Sequence, residues 1–303
     1  MLGDLGLFVG LALLIWMALR GVNILIAALL CSLVVALTNE LEPPKALLEY
    51  FPFGPLGAFT FAGKFFVLFL CGAIFGKVMA ASQAASSIAQ AITRSLGIQR
   101  TLWVSTALPG SPSIHNVIAS SALGTDLFAG AWLGLLASAV MIILGMAYVQ
   151  REWRMARARG EGFESNAQDL RMQQLAGEPG TGPHWGMALL PILVVLGVIM
   201  LPRLLLLSGG VTAGEGMLGQ VLNFSQRQPI IWPSLALTIA TLTAILLFPA
   251  LRRNTVAMLG QGADDSIMPL LNTAAVIGFG GVVTQTAGFG EFVNWVLSVD
   301  MPP

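Results

Sequence analysis

Ser105, Thr106, Ser111, Ser113, His115, Asn116, Ser120 and Ser121 crowd into one stretch that Pro109, Gly110 and Pro112 interrupt. Hydroxyls and amides hydrogen-bond without the cost of a buried charge, so this set suits reversible binding of a small polar solute. Past the break at Pro112, a half-helix can open at Ser113. Its free N–H groups and positive dipole end would then face an anion, with Ser111, Ser113 and Asn116 around it. His115 is the group in this set able to change charge near neutral pH, and it reads as a proton-coupling residue or as a neutral hydrogen-bonding histidine. A second reading of the whole stretch is a kinked helix whose Ser and Thr bond back to their own carbonyls.

A second segment has the same order of residue types. Asp264-Asp265-Ser266 leads to Pro269, then to Asn272-Thr273, then to Gly278, Gly280 and Gly281. Asn272 and Thr273 are candidate hydrogen-bonding groups, and the three glycines would let a ligand approach the backbone. Glycine-mediated helix packing explains the same pattern. Two interrupted apolar segments in the two parts of a chain are the sequence pointer to a transporter site between repeats. Glu291, in a short apolar tail, reads as a proton carrier or as an interface residue. His115 and His184 lack Cys or carboxylate companions at ligand spacing, so no metal site is expected. With no nucleophile–base pair, Walker motif or haem signature, neither an enzyme nor a resident cofactor is expected. Cys31 and Cys71 lie inside apolar runs and read as small core hydrophobes.

These residues need membrane elements to position them. The chain has 303 residues, 56% hydrophobic and 10% charged, with mean hydropathy +0.81. A soluble domain carries about a quarter charged residues. The fold class expected is an all-α polytopic integral membrane protein with broken or re-entrant segments. Fifteen basic and fifteen acidic residues balance, which gives no footing for a nucleic-acid partner. The first apolar stretch follows no basic segment, so a cleaved signal peptide is not expected.

Spans are expected at residues 2–19, 21–38, 58–79, 101–123 (broken), 127–149, 185–207, 229–251 and 264–283 (broken). Residues 39–57 read as a polar, Pro-rich loop and 82–96 as a surface amphipathic helix. Residues 150–183 read as a cytoplasmic loop that begins as a charged helix, and 208–228 as a Gly-rich loop. Strict alternation puts Arg20, Lys77, Arg94, Arg100, Arg151, Arg154, Arg157, Arg159, Arg171, Arg252 and Arg253 inside. Lys45, Lys64, Arg203 and Arg227 fall outside. This split satisfies the positive-inside rule with 39–57 facing outward. The run Arg151–Arg159 reads as a topology anchor, with binding of anionic lipid as the alternative.

At these residues the chain resembles the gluconate permease (GntP) family of the ion transporter superfamily. The likeness rests on three places: Thr106 to Asn116 running into Leu123-Gly124-Thr125, Leu144 to Arg151 with Ala158 to Phe163, and Leu271 to Val283. Gly72 to Lys77 and the opening spans also fit. Relative to that family the chain reads as internally shortened near Arg100–Thr106 and truncated at the C-terminus. The resemblance implies a multi-pass protein of the bacterial cytoplasmic membrane. It implies proton-coupled uptake of a small hydroxy-carboxylate such as gluconate, with the proton gradient as driving force and a homo-oligomer allowed. Ser111, Ser113, Asn116, Asn272 and Thr273 would contact carboxylate and hydroxyls. The alternative is a transport-incompetent, shortened membrane protein with a structural or regulatory role.

Overall fold

Gly3, Gly6 and Gly10 recur on one face of the first helix, α1 (Leu2–Leu19), and this stripe decides how the chain turns back. A methyl group at Gly3 would stand 2.7 Å from Asn39 Oδ1, one at Gly10 2.5 Å from Val35 Cγ2, and one at Gly6 would overlap the Thr38 hydroxyl. Without side chains there, α1 lies close against α2 (Ile24–Thr38), the small-residue packing that membrane helices use in place of a hydrophobic driving force. Gly21 turns the connection at φ +75, and the Asn23 side chain caps α2 by accepting from Leu25 N–H at 2.9 Å.

The computed structural model describes residues 2–96, 124–125, 130–161, 182–207 and 216–298, and those residues form helices with no strand among them. After α2 come α3 (residues 43–53), α4 (Ala58–Ala81) and α5 (Ala84–Leu96). Then follow α6 (Ala131–Ala158), α7 (Trp185–Leu207), α8 (Gly216–Arg227) and α9 (Ile231–Leu247). The last are α10 (Thr255–Val283) and α11 (Ala287–Ser298). Four of the described helices are long and apolar enough to cross a membrane, or five if the bent pair α8–α9 counts as one span; α1 and α2 are shorter apolar helices. The expected all-α polytopic architecture is therefore the one observed.

The chain divides into two units, one of residues 1–70 with 265–303 and one of residues 71–264. The first has a core of Ala27, Ala28, Cys31 and Val35 from α2 with Ala275, Phe279 and Val282 from α10. Cys31 is a buried free thiol in that core, as its apolar surroundings suggested. The second unit packs Val78 and Met79 of α4, Ala188 of α7 and Ala244 of α9 around Phe248, Leu251 and Met258.

Three elements depart from expectation. Residues 39–57 are not simply a loop, because Pro43 and Pro44 occupy first-turn positions where a missing N–H costs nothing. That short helix widens at Ala46–Tyr50, where Phe51 N–H bonds to Ala46 O one residue before Pro52. Residues 216–227, expected within a Gly-rich loop, form α8, whose Leu222 is buried. α8 and α9 meet at 110°, so a broken element among the described residues stands here. Residues 264–283, expected to be broken, are instead the second part of the unbroken α10. In lipid, a backbone group is cheapest left inside a helix. Pro269 removes one bond from α10, but its ring is exposed and does not force the helix apart.

Candidate functional site

α10 carries every site residue that falls among the described ones. At about 1.5 Å per residue, its 29 residues reach roughly 43 Å, the full thickness of a bilayer with headgroups. Pro269, Asn272 and Thr273 sit near its middle. The Asn272 Oδ1 is buried and has no hydrogen-bond partner. A buried amide oxygen without a donor costs about 1–3 kcal/mol, so it marks a place where a donor is missing. The Thr273 hydroxyl is engaged already, donating to Pro269 O at 2.9 Å. Thr273 therefore fits the back-bonding pattern of helix hydroxyls, and only its lone pairs remain to offer.

The glycines separate into two roles. A methyl group at Gly278 would lie 2.7 Å from Phe51 O and 3.0 Å from Ala58 Cβ. One at Gly281 would lie 2.8 Å from Leu56 O and 3.0 Å from Tyr50 O. Both glycines thus bring α10 against the backbone of residues 50–58, which is helix packing. Gly280 faces open space, since a methyl group there would meet nothing within 4 Å, and it alone of the three leaves room for a ligand. Ser111, Ser113, His115 and Asn116, together with the rest of the segment 101–123, lie outside the described residues.

Sequence reasoning passed over the relation between Asp265 and Asn272. Seven residues apart on a helix, they share a face about 10 Å from each other along the axis. Asp265 is exposed on a helix of spanning length. The signal was in the i, i+7 spacing. An ionisable residue within a span marks a functional site by default.

Proline also organises the second unit. Pro202 inside α7 has no N–H, so Val198 O, four residues earlier, loses its helix partner. The Trp232 indole Nε1–H of α9 donates to that same Val198 O at 3.1 Å. Phe224 of α8 meets the Trp232 ring edge-on with centroids 6.3 Å apart, so the bend at 228–230 is held by this tryptophan on both sides.

Two further cavities are lined by described residues. One, of about 600 Å³, is lined by Asp4 and Leu7 of α1, Phe279 of α10 and Glu291 and Trp295 of α11. Glu291 is exposed. The other, of about 750 Å³, lies between α5 and the start of α7 and includes Gln90 and His184. His184 Nδ1 accepts from Gly186 N–H at 3.2 Å, so this histidine caps α7. Among the described residues no three His, Cys, Asp or Glu side chains lie close enough together to hold a metal ion.

Residues 5–108 match the family described as GntP family permease. The chain is also 27% identical over 360 residues to a protein of Bacillus subtilis (strain 168) named Uncharacterized transporter YxjC, an alignment taking in 96% of this chain and 74% of the relative. That alignment is longer than the 303-residue chain, so the relative carries internal residues that this chain lacks. No solved structure matches the chain. The resemblance read from the sequence is borne out over the matched residues, and both findings support a multi-pass membrane transporter.

Proposed function

We propose that the chain binds a small hydroxy-carboxylate such as gluconate at the middle of α10 and that the family mechanism it follows is proton symport across the bacterial cytoplasmic membrane. The observation that carries this reading is the buried, partnerless Asn272 Oδ1 on a helix of spanning length. An amide oxygen accepts, so it calls for a donor, and a solute hydroxyl supplies one. The amide NH2 of the same side chain donates, which suits a carboxylate oxygen. One asparagine therefore matches both polar groups of a hydroxy-acid. Gly280 leaves open space about 12 Å further along the same helix, and Ser111, Ser113 and Asn116 would supply further donors from the interrupted segment. Asp265, on the same face of α10, is the proposed proton carrier, with His115 as the second titratable candidate.

The test is calorimetry on folded protein with a panel of hydroxy-acids and their deoxy analogues. Binding of a hydroxy-acid that weakens both in Asn272→Ala and on removal of the solute hydroxyl supports the site. Equal affinity for acid and deoxy analogue, unchanged in Asn272→Ala, removes it. The length of the alignment with the relative favours a second reading, in which the shortened chain binds solute but does not move it. Binding without gradient-driven accumulation would select that reading.

A further inference from the structure

Two helices end alike. At the end of α1 the Arg20 guanidinium carbon lies 5.1 Å from the centre of the Trp16 ring. Near the end of α6 the Arg157 guanidinium carbon lies 5.2 Å from the centre of the Trp153 ring. In each case tryptophan precedes arginine by four residues, which stacks the two side chains on one helix face. Trp16 is 54% exposed and Trp153 42%, and both arginines are exposed.

Depth decides what such a pair meets. From Ala131 to Val149, α6 carries no charged residue. That stretch rises about 28 Å, close to the roughly 30 Å of the hydrocarbon layer. Arg151, Arg154 and Arg157 follow on the same unbroken helix. Their Cα atoms stand roughly 3 to 12 Å past Val149, at and just beyond headgroup depth. Helical side chains lean toward the N-terminus, which here turns the guanidinium groups back toward the bilayer. Arg20 directly follows the shorter apolar run Leu5–Leu19 of α1, which rises about 22 Å.

Tryptophan settles at the membrane interface. A guanidinium laid over its ring has one flat face covered and its N–H edge free. That planar edge matches two phosphate oxygens, which an ammonium group cannot do. Charge favours an anion as well. Arg159 is paired with Glu161 at 3.3 Å, whereas Arg151, Arg154 and Arg157 form no ion pair among the described residues. We propose that the Trp16–Arg20 and Trp153–Arg157 ends, with Arg151 and Arg154 beside the second, are docking sites for the phosphodiester headgroups of anionic phospholipids. This does not depend on which solute the chain binds.

The test uses the full chain in phosphatidylcholine nanodiscs. Energy transfer from protein tryptophan is read to trace pyrene-labelled phosphatidylglycerol, or to pyrene-labelled phosphatidylcholine at the same mole fraction. Phosphatidylglycerol should give the stronger transfer, and unlabelled phosphatidylglycerol should compete it away. The double variant Arg20→Gln, Arg157→Gln keeps every tryptophan and should weaken that preference by about fivefold per arginine. The double variant Arg20→Lys, Arg157→Lys keeps the charge without the fork and should fall between. Circular dichroism confirms that helix content is unchanged, and the Lys variant keeps the test open should the Gln variant fail to fold. Equal transfer from the two lipids in the parent chain would overturn the proposal. So would a parent-like preference in the folded Gln variant, and a Lys variant as selective as the parent would overturn the stacked clamp.

Discussion

Asn272 is where a single atom has the largest consequence. Its amide is set mid-helix, and the oxygen is buried with no donor. Asn272→Ala should weaken hydroxy-acid binding by about ten- to a hundredfold, the equivalent of about 1.5–3 kcal/mol for a bond to a charged group. It should not destabilise the protein, because the Oδ1 gives up no internal hydrogen bond. Calorimetry and a thermal melt on the same sample check both halves. Ser111→Ala and Asn116→Ala should weaken the same binding if the interrupted segment shares the site. Asp265→Asn should leave binding in place while reducing gradient-driven uptake in a chain that carries family-like spans at the Arg100–Thr101 junction. The types of these residues were legible in the sequence, but their division of labour was not. Thr273 lies beside Asn272, yet its hydroxyl is spent on Pro269 O. Gly278 and Gly281 look like Gly280, yet they face backbone. Which neighbour a residue meets depends on helix rotation and on a partner segment far away in sequence.

The elements follow local rules where the rules are strong. Uninterrupted apolar runs became α1, α2, α4 and α7 within a few residues of the expected bounds. The charged extension after Val149 proved to be a continuation of α6 to Ala158. Proline and glycine misled where tertiary packing could compensate for them. Pro269 does not interrupt α10, whereas the bend of 110° stands at residues 228–230, beside Pro229. In α7, the carbonyl orphaned by Pro202 is met by Trp232. Trp232→Phe should therefore cost about 1 kcal/mol, the low end of the penalty for an unsatisfied acceptor, because this one is part-buried. The cost should shrink in a Pro202→Ala background, where an N–H is restored to Val198 O. A double-mutant cycle in denaturant reads this directly, and additive effects would refute the link. On α1, Gly6→Leu should separate α1 from α2, since even a methyl group there overlaps Thr38. Loss of cross-linking between cysteines placed at Gly10 and Val35 would report that separation.

For the whole molecule, orientation and transport are the matters at issue. By the positive-inside rule, residues 150–183 are expected in the cytoplasm and 39–57 outside. Single cysteines at Ser165 and Leu47, in a chain lacking Cys31 and Cys71, should label from opposite sides of the membrane, and labelling from one side would overturn that topology. Alternating access needs two bundles that hold one site between them. The relative contains internal residues that this chain lacks, and the family resemblance implies that the gap falls near Arg100–Thr106. The chain as it stands should therefore bind solute but accumulate little of it. The most direct measurement is uptake of labelled gluconate and other hydroxy-acids into proteoliposomes, with and without an inward proton gradient. It compares the present chain with one carrying family-like spans at the Arg100–Thr101 junction. The extended chain should accumulate a hydroxy-acid in a gradient-dependent way and lose that accumulation in Asn272→Ala. Folded protein that accumulates no hydroxy-acid in either form, with or without the gradient, would contradict this.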